Sequence, residues 1–371
     1  MSAIPTPAAA PRSDSVNAGG LRSLFTFFHE HRSSGSPLVL ATVVATAGTT
    51  YRKRGAQMLI RNDNQWHGLL SGGCLEGDLA AHATEIFAGG QARIIDYALS
   101  AMTDAVWGFG LGCDGSVRIL LQRLDAANAW EPYASIVEAV ERGASGRLVL
   151  LCSSTNPAAP VGLWSLHRDE LPATGPLASL LLSLPSGLAA QIAEQADIVV
   201  AGQTYECVGF PLPHLPRLII LGGGPDAVPL TQFAAQMGWH VVVADHRPAY
   251  ADPGRFPCAD RVVLAPDQVL PADLDLSSAD AIVIMSHNLA ADERYVSLAA
   301  QSRAPYVGLL GPAARKAKLL STLPEAFLAD GRFRGPVGLD LGGEGPESIA
   351  LSIVAEIQAV LHGKAFTREE R

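Results

Sequence analysis

Short apolar, β-branched runs at residues 217–221, 240–245, 261–264, 281–286 and 306–310 alternate with stretches whose apolar positions recur at helical spacing. These stretches end at Met237 and Ser302, and a third begins at Ala313. Strands and helices in strict turn predict a parallel, doubly wound sheet. Near the end, residues 346–363 open on a proline suited to a first helical turn and place Ile349, Ile353, Ile357 and Val360 on one face.

The first half of the chain has a different rhythm. Leu21, Leu24, Phe25 and Phe28 mark a helix over 21–32, and 37–45 is an uninterrupted apolar run that reads as a buried strand. Residues 57–61 and 66–70 read as a hairpin around Asn62-Asp63-Asn64. Helices follow over 75–87 and 130–142, with strands at 92–97, 116–121 and 146–152. The pattern then weakens until the prolines at 211, 213 and 216, which read as a linker. The expected organisation is a flexible tail over 1–20, a mixed α/β domain over 21–210, a doubly wound domain over 216–363 and a short tail over 364–371. No internal repeat is evident.

A chain of 371 residues agrees with two cores rather than one. With 36 acidic against 27 basic residues the net charge is -9, which argues against nucleic acid or an anionic membrane surface as partner. The apolar runs are far shorter than the ~20 residues of a spanning helix, so no transmembrane segment is expected. The Ala/Pro/Ser-rich opening lacks the layout of a signal peptide, which points to the cytoplasm. Cys74, Cys113, Cys152, Cys207 and Cys258 form an odd, widely spaced set without a CxxC pair, unlike a disulfide framework or a closed zinc site.

Four motifs could carry chemistry. The strand at 217–221 runs into Gly222-Gly-Gly224-Pro-Asp-Ala227, a G-x-G-x-x-A turn at a helix start that lets a phosphate approach backbone N–H groups. Asp245, at the end of the next strand, is placed to accept bonds from a ribose or a pterin-like donor. The plainer reading is that these glycines only pack helix on strand. The second motif, Ser71-Gly72-Gly73-Cys74-Leu-Glu76-Gly-Asp78, joins a strand to a helix. Gly72 and Gly73 free the backbone for an anion cradle, the helix dipole favours a Cys74 thiolate, and Glu76 and Asp78 suit a first helical turn.

The third motif, residues 108–115, sets Gly112 and Cys113 among further glycines, a density that implies unusual dihedrals or a close ligand. Either cysteine alone reads as an inert core thiol, whereas two in glycine loops point towards a ligand or sulfur-handling site. The fourth, Met285-Ser286-His287-Asn288, ends a parallel strand where open α/β sheets bind ligands. His287 is thus a ligand contact, a proton donor or a structural histidine. The run Arg52-Lys53-Arg54 is either a phosphate binder or a solvated charge cluster.

On these residues the chain resembles the XdhC/CoxI family, the accessory proteins of xanthine dehydrogenase and related molybdenum hydroxylases. The resemblance rests on residues 55–59, 71–77 and 110–115, on GGGPDAVPL, ADHRP, SHN with Asp292, YVGLLGP and PVGLDLGGEGPESIALSIVAEI. Asp114 departs from the family's glycine after the second cysteine. The family has an N-terminal XdhC/CoxI-type domain and a C-terminal Rossmann-like one. The resemblance implies binding of molybdenum cofactor (molybdopterin), its retention while a cysteine desulfurase supplies sulfur, and delivery to an apo molybdenum hydroxylase. From the chemistry of such a cofactor, Cys74 and Cys113 are expected near the molybdenum and the 222–227 turn on the phosphate. The competing classes are an NAD(P)-dependent oxidoreductase, suggested by Gly222, Gly224 and Asp245, and a cysteine-based sulfurtransferase. The C-terminal helix could serve a homodimer as readily as the core.

Overall fold

The computed structural model describes residues 20–98, 115–168, 171–182, 195–320, 327 and 331–364. Residues 1–19 of the tail expected over 1–20, Gly112 and Cys113 with the rest of 99–114, and residues 365–371 lie outside them. The chain divides into two compact units, the first ending at His214 and the second beginning at Leu215.

In the first unit a five-stranded antiparallel sheet is ordered β3-β2-β1-β5-β4. Its strands are β1 (Leu38–Ala47), β2 (Gln57–Arg61), β3 (Trp66–His67), β4 (Arg93–Ala98) and β5 (Ser116–Leu124). The run beginning at Leu38 becomes the central strand because its first seven residues are buried on both faces. One face, with Val39, Ala41, Val43, Met58 and Ile60, packs on α2 (Glu76–Gly89) through Leu79, Ala83 and Ile86. Aromatic rings join α1 (Leu21–Ser34) to α3 (Tyr133–Glu141), with Phe28 and Tyr133 edge to face at 5.0 Å between centroids.

The strand expected over 66–70 is shorter than its pattern suggests. Gly68 turns away at φ +95°, and a Cβ there would lie 3.0 Å from the Gln57 carbonyl. Similarly, the helix expected from Trp130 starts at Tyr133, because Ala129 and Trp130 are left-handed.

The weakly patterned stretch after Cys152 holds an architecture that its sequence pattern leaves unassigned. β6 (Gly146–Ser154), β7 (Trp164–Arg168), β8 (Gln195–Val200) and β9 (Gln203–Pro211) form an antiparallel sheet ordered β7-β6-β9-β8. β8 is an edge strand with one buried residue, Ile198, and its turn to β9 uses Ala201 and Gly202 in place of a strong hairpin signal. A short helix, α4 (Ala178–Leu182), covers this sheet through Leu181, together with Leu177 just before it.

The second unit is the expected parallel sheet. β10 (Arg217–Leu221), β11 (His240–Asp245), β12 (Arg261–Leu264), β13 (Ala281–Ile284), β14 (Tyr306–Leu309) and β15 (Phe333–Arg334) are ordered β12-β11-β10-β13-β14-β15. Numbered within the unit this is 3-2-1-4-5-6, the doubly wound order of dinucleotide-binding folds. Its helices are α5 (Ala227–Gln236), α6 (Leu289–Ala300), α7 (Ala313–Leu320) and α8 (Pro346–Leu361). Alternate residues of β10 face opposite layers. Leu218 and Ile220 pack beneath α5 and α8, and Ile219 and Leu221 pack towards α6. The apolar face of α8, including Ile353 and Ile357, is buried in this core.

Candidate functional site

The Ser71–Asp78 motif folds as a turn that leads into α2, with Gly72 and Gly73 at φ +78° and +110°. Left-handed and more extreme dihedrals of this kind need glycine. The expected anion cradle is present, but the anion is internal. Glu76, fully buried, folds back and accepts from Leu70 N (2.8 Å), Ser71 N (2.8 Å), Gly73 N (3.0 Å) and Leu75 N (3.2 Å). Its other contact is the Ser71 hydroxyl, which donates at 2.5 Å and itself accepts from Cys74 N and Leu75 N. The loop is thus rigid from behind, while Cys74 stands exposed at the helix start. Glu76 positions this loop, and the N–H groups of residues 70, 71, 73, 74 and 75 are already engaged.

Asp78, further along the first turn, accepts from the Tyr97 hydroxyl at 2.6 Å. Burial and then that bond to Asp78 push the Tyr97 hydroxyl far above its ordinary range. Two further motifs meet here. A Cβ built on Gly72 would touch the ring of Tyr51 at 3.5 Å, and one built on Gly115 would clash with Ala47 O at 2.5 Å and Thr49 O at 2.6 Å. The loop between β1 and β2, with its basic run, therefore lies against both the Cys74 loop and Gly115, two residues after Cys113. Tyr51, 61 % exposed, is a neighbour of the Cys74 loop that the sequence reading did not single out; an aromatic directly before three cations was the available signal.

In the second unit the glycine turn follows β10 and the His287 turn follows β13, on either side of the point where strand order reverses. Gly222, at φ +124°, leaves no room for a side chain, since a Cβ would sit 2.5 Å from the Met285 carbonyl. The plainer reading, close packing of backbone on backbone, accounts for this glycine. Gly224 differs, because a Cβ there would meet only the His287 ring at 3.6 Å. His287 is itself left-handed at φ +56°, and its Nε2 lies 3.0 Å from Asp226 Oδ2 across the turn. A histidine in that region marks a backbone held by its surroundings.

Asp245 is not open to a ribose or a pterin in this arrangement. Its buried carboxylate accepts from Gly223 N (2.7 Å), Arg247 N (2.8 Å), Arg247 Nε (2.9 Å) and the Arg247 terminal nitrogen (2.8 Å). Burial raises its pKa, but the bonds from Arg247 and Gly223 outweigh that, so the carboxyl stays below the usual carboxylate range. The Arg247 guanidinium also lies 3.8 Å from the Tyr250 ring centroid. Asp292 is likewise taken, buried against Ser286 Oγ and Arg315, whose Nε donates at 2.7 Å. Among the described residues no group of three or more His, Cys, Asp and Glu side chains is placed to hold a metal ion. No helix among them is long and apolar enough to cross a membrane.

Known proteins resemble this chain in sequence and fold. Residues 31–98 match the XdhC and CoxI family and residues 218–357 match the XdhC Rossmann domain. A probable xanthine dehydrogenase subunit from Bacillus subtilis is 32 % identical over 320 residues, covering 86 % of this chain and 92 % of the relative. The chain belongs to the XdhC/CoxI family. Another relative, the molybdenum cofactor insertion chaperone PaoD of Escherichia coli, is 26 % identical over 348 residues, covering 91 % and 88 % of the two chains. The crystal structure of a xanthine dehydrogenase from Bacillus halodurans superposes with a TM-score of 0.74 at 29 % identity, covering 92 % and 96 %. In this XdhC/CoxI protein, then, the N-terminal domain presents an exposed thiol on a carboxylate-braced loop. The XdhC Rossmann domain presents Gly224 beneath a His287–Asp226 pair.

Proposed function

We propose that this protein binds molybdenum cofactor, retains it while a cysteine desulfurase supplies the sulfido ligand, and delivers it to an apo molybdenum hydroxylase of the xanthine dehydrogenase type. The observation that carries the reading is Cys74, an exposed thiol on a loop whose backbone is fixed by Glu76, in a chain whose relatives include a molybdenum cofactor insertion chaperone. The cofactor supplies a soft metal–dithiolene centre, and a thiol is the protein donor suited to such a centre. The residues fit it at that point. Gly73 adds no bulk beside the thiol, since even a Cβ there would meet no atom within 4 Å.

Cys74 would hold the molybdenum end, with Cys113 as its proposed companion. Glu76 and Ser71 orient the thiol through the backbone they bind. The backbone N–H groups of residues 70, 71, 73 and 75 already serve Glu76, so a phosphate needs other partners. Taken by itself, the Rossmann unit offers a separate candidate contact surface at Gly224 and His287, with Gly222 and Asp245 shaping the turn from behind.

The NAD(P)-dependent reading draws on the 3-2-1-4-5-6 strand order. It is disfavoured by Asp245, because the acid that would accept a ribose hydroxyl is held by Arg247. A sulfurtransferase would also need Cys74, but as a covalent carrier.

The test is equilibrium binding of anaerobic molybdenum cofactor and, separately, of NAD(H), to the wild-type chain and to Cys74→Ala and Cys113→Ala. Micromolar or tighter cofactor binding weakened by a cysteine variant supports the proposal. Binding of NAD(H) alone sinks it. Retained binding with lost sulfuration in Cys74→Ala assigns the protein to the sulfurtransferases instead.

A further inference from the structure

Resting on the reading above, the geometry points to residues 48–54, the loop between β1 and β2, as the element that recognises the heterocycle and phosphate of the ligand: Tyr51 stacks on the planar ring while Arg52 and Lys53 pair with the phosphate. The glycine loop has little left to offer an anion. The N–H groups of residues 70, 71, 73 and 75 serve Glu76 and that of Cys74 serves the Ser71 hydroxyl, so these five do not hold a second anion. A phosphorylated ligand at Cys74 must find its positive partners on a neighbouring element.

The loop over 48–54 is such a neighbour on two independent counts. Tyr51 lies against Gly72, two residues before Cys74, and the backbone carbonyl of Thr49, with that of Ala47 at the end of β1, lies against Gly115, two residues after Cys113 in sequence. Only glycine fits at Gly115, because its Cβ would be 2.5 Å from one carbonyl oxygen and 2.6 Å from the other. The packing therefore ties the loop to the Cys74 loop and to Gly115. The Thr50 hydroxyl donates to Arg52 O at 3.0 Å and fixes the local turn.

The exposed side chains of this loop have the required chemistry. Tyr51 is 61 % exposed, with its ring set on the Gly72 backbone rather than in a core. Arg52 and Lys53 are exposed beside it, within a run of three cations in a chain of net charge -9. An aromatic face next to two cations recognises a planar heterocycle carrying phosphate, by stacking and by charge-assisted hydrogen bonds. A cavity of about 290 Å³ borders Tyr51 and Arg52, with Gly55 and Gly68 in its wall. A pterin phosphate and a nucleotide share this chemistry, and the experiment separates them.

The full-length chain is titrated anaerobically with metal-free molybdopterin, with its dephosphorylated form and with guanosine monophosphate. Tyr51→Ala should weaken molybdopterin binding about tenfold, from the usual worth of one stacked ring, and Tyr51→Phe should stay within about twofold of wild type because it keeps the ring. The Arg52→Ala/Lys53→Ala double variant should bind the two pterin forms equally and lose most of the salt dependence of binding. All these substitutions lie on exposed side chains, and circular dichroism confirms each fold.

If wild type binds molybdopterin and both Tyr51→Ala and the double variant match it within twofold, this inference is wrong and the chaperone reading survives. If wild type binds no pterin form, both fall together. Guanosine monophosphate binding as tightly as molybdopterin would overturn the assignment to a pterin.

Discussion

The Glu76 carboxylate accepts the Gly73 backbone N–H at 3.0 Å, from a position only three residues further along the chain. A side chain from the first turn of α2 thereby fills the anion cradle of the loop that precedes that helix. The same arrangement recurs in the second unit, where Asp245 accepts from Gly223 at 2.7 Å. Both glycine loops are built around a carboxylate of their own unit, and the surface that remains for a ligand is the outer one: Cys74 in one unit, Gly224 with His287 in the other.

Removal of Glu76 tests this construction. Glu76→Ala leaves the N–H groups of residues 70, 71, 73 and 75 without their acceptor, and unmade buried bonds to a charged group cost about 1–3 kcal/mol. A loss of about 3 kcal/mol in denaturant unfolding of the first unit is expected, together with faster hydrogen exchange over residues 70–75. Unchanged exchange there would mean that the loop does not depend on the carboxylate.

Two glycines of one turn should behave in opposite ways. Gly222→Ala drives a Cβ to 2.5 Å from the Met285 carbonyl at a dihedral that L-residues avoid, and should cost the second unit about 2–4 kcal/mol. Gly224→Ala meets only the His287 ring at 3.6 Å and should leave stability within about 0.5 kcal/mol. If Gly224 borders the ligand, this mild variant should still weaken binding. Chemical denaturation and cofactor titration on the same two variants check both halves.

The Asp245–Arg247 pair gives the second unit an acid-sensitive component. The folded-state pKa of Asp245 is depressed, so its stabilisation is fully present above the unfolded value near 3.9 and is lost as pH falls through the lower folded value. The stability of wild type should thus decline below about pH 4 more steeply than that of Asp245→Asn. Arg247→Ala should cost about 3 kcal/mol near neutral pH, because it leaves a buried carboxylate without its cation. Equal acid sensitivity of wild type and Asp245→Asn would remove Asp245 from this account.

The second unit was legible because parallel strands buried on both faces must be apolar throughout, as Leu218–Leu221 and Val241–Ala244 are. The sheet of β6 to β9 was not, because an edge strand such as β8 buries one residue and carries no run to detect. The glycine loops announced themselves by composition. What fills them did not: Asp245 stands where a ribose acceptor is expected, and only the folded position of Arg247, two residues on, turns it inwards. Glu76 likewise read as a helix-start acid, and its reach back over Ser71 is a matter of side-chain conformation. Tyr51 comes close to Gly72 only through sheet topology, across 21 positions of sequence.

Thiol chemistry separates the cysteines, and it bears directly on the proposed site. Cys152 and Cys207 lie in the second sheet of the first unit, 3 % and 0 % exposed, and burial pushes both thiols up to about 12. With the raised value in the folded state they remain thiols at any ordinary working pH, and the thiolate is the reactive form. Cys74 and Cys258 are exposed, so alkylation of the folded protein near pH 8 should modify these two ahead of Cys152 and Cys207, which should react only after denaturation. Peptide mapping reads the order directly. Bound molybdenum cofactor should then protect Cys74 and leave Cys258 as reactive as before, because Cys258 is not among the proposed contacts. Equal protection of both would point to a general change in access rather than a ligand at the Cys74 loop, and protection of neither would move the cofactor away from that thiol.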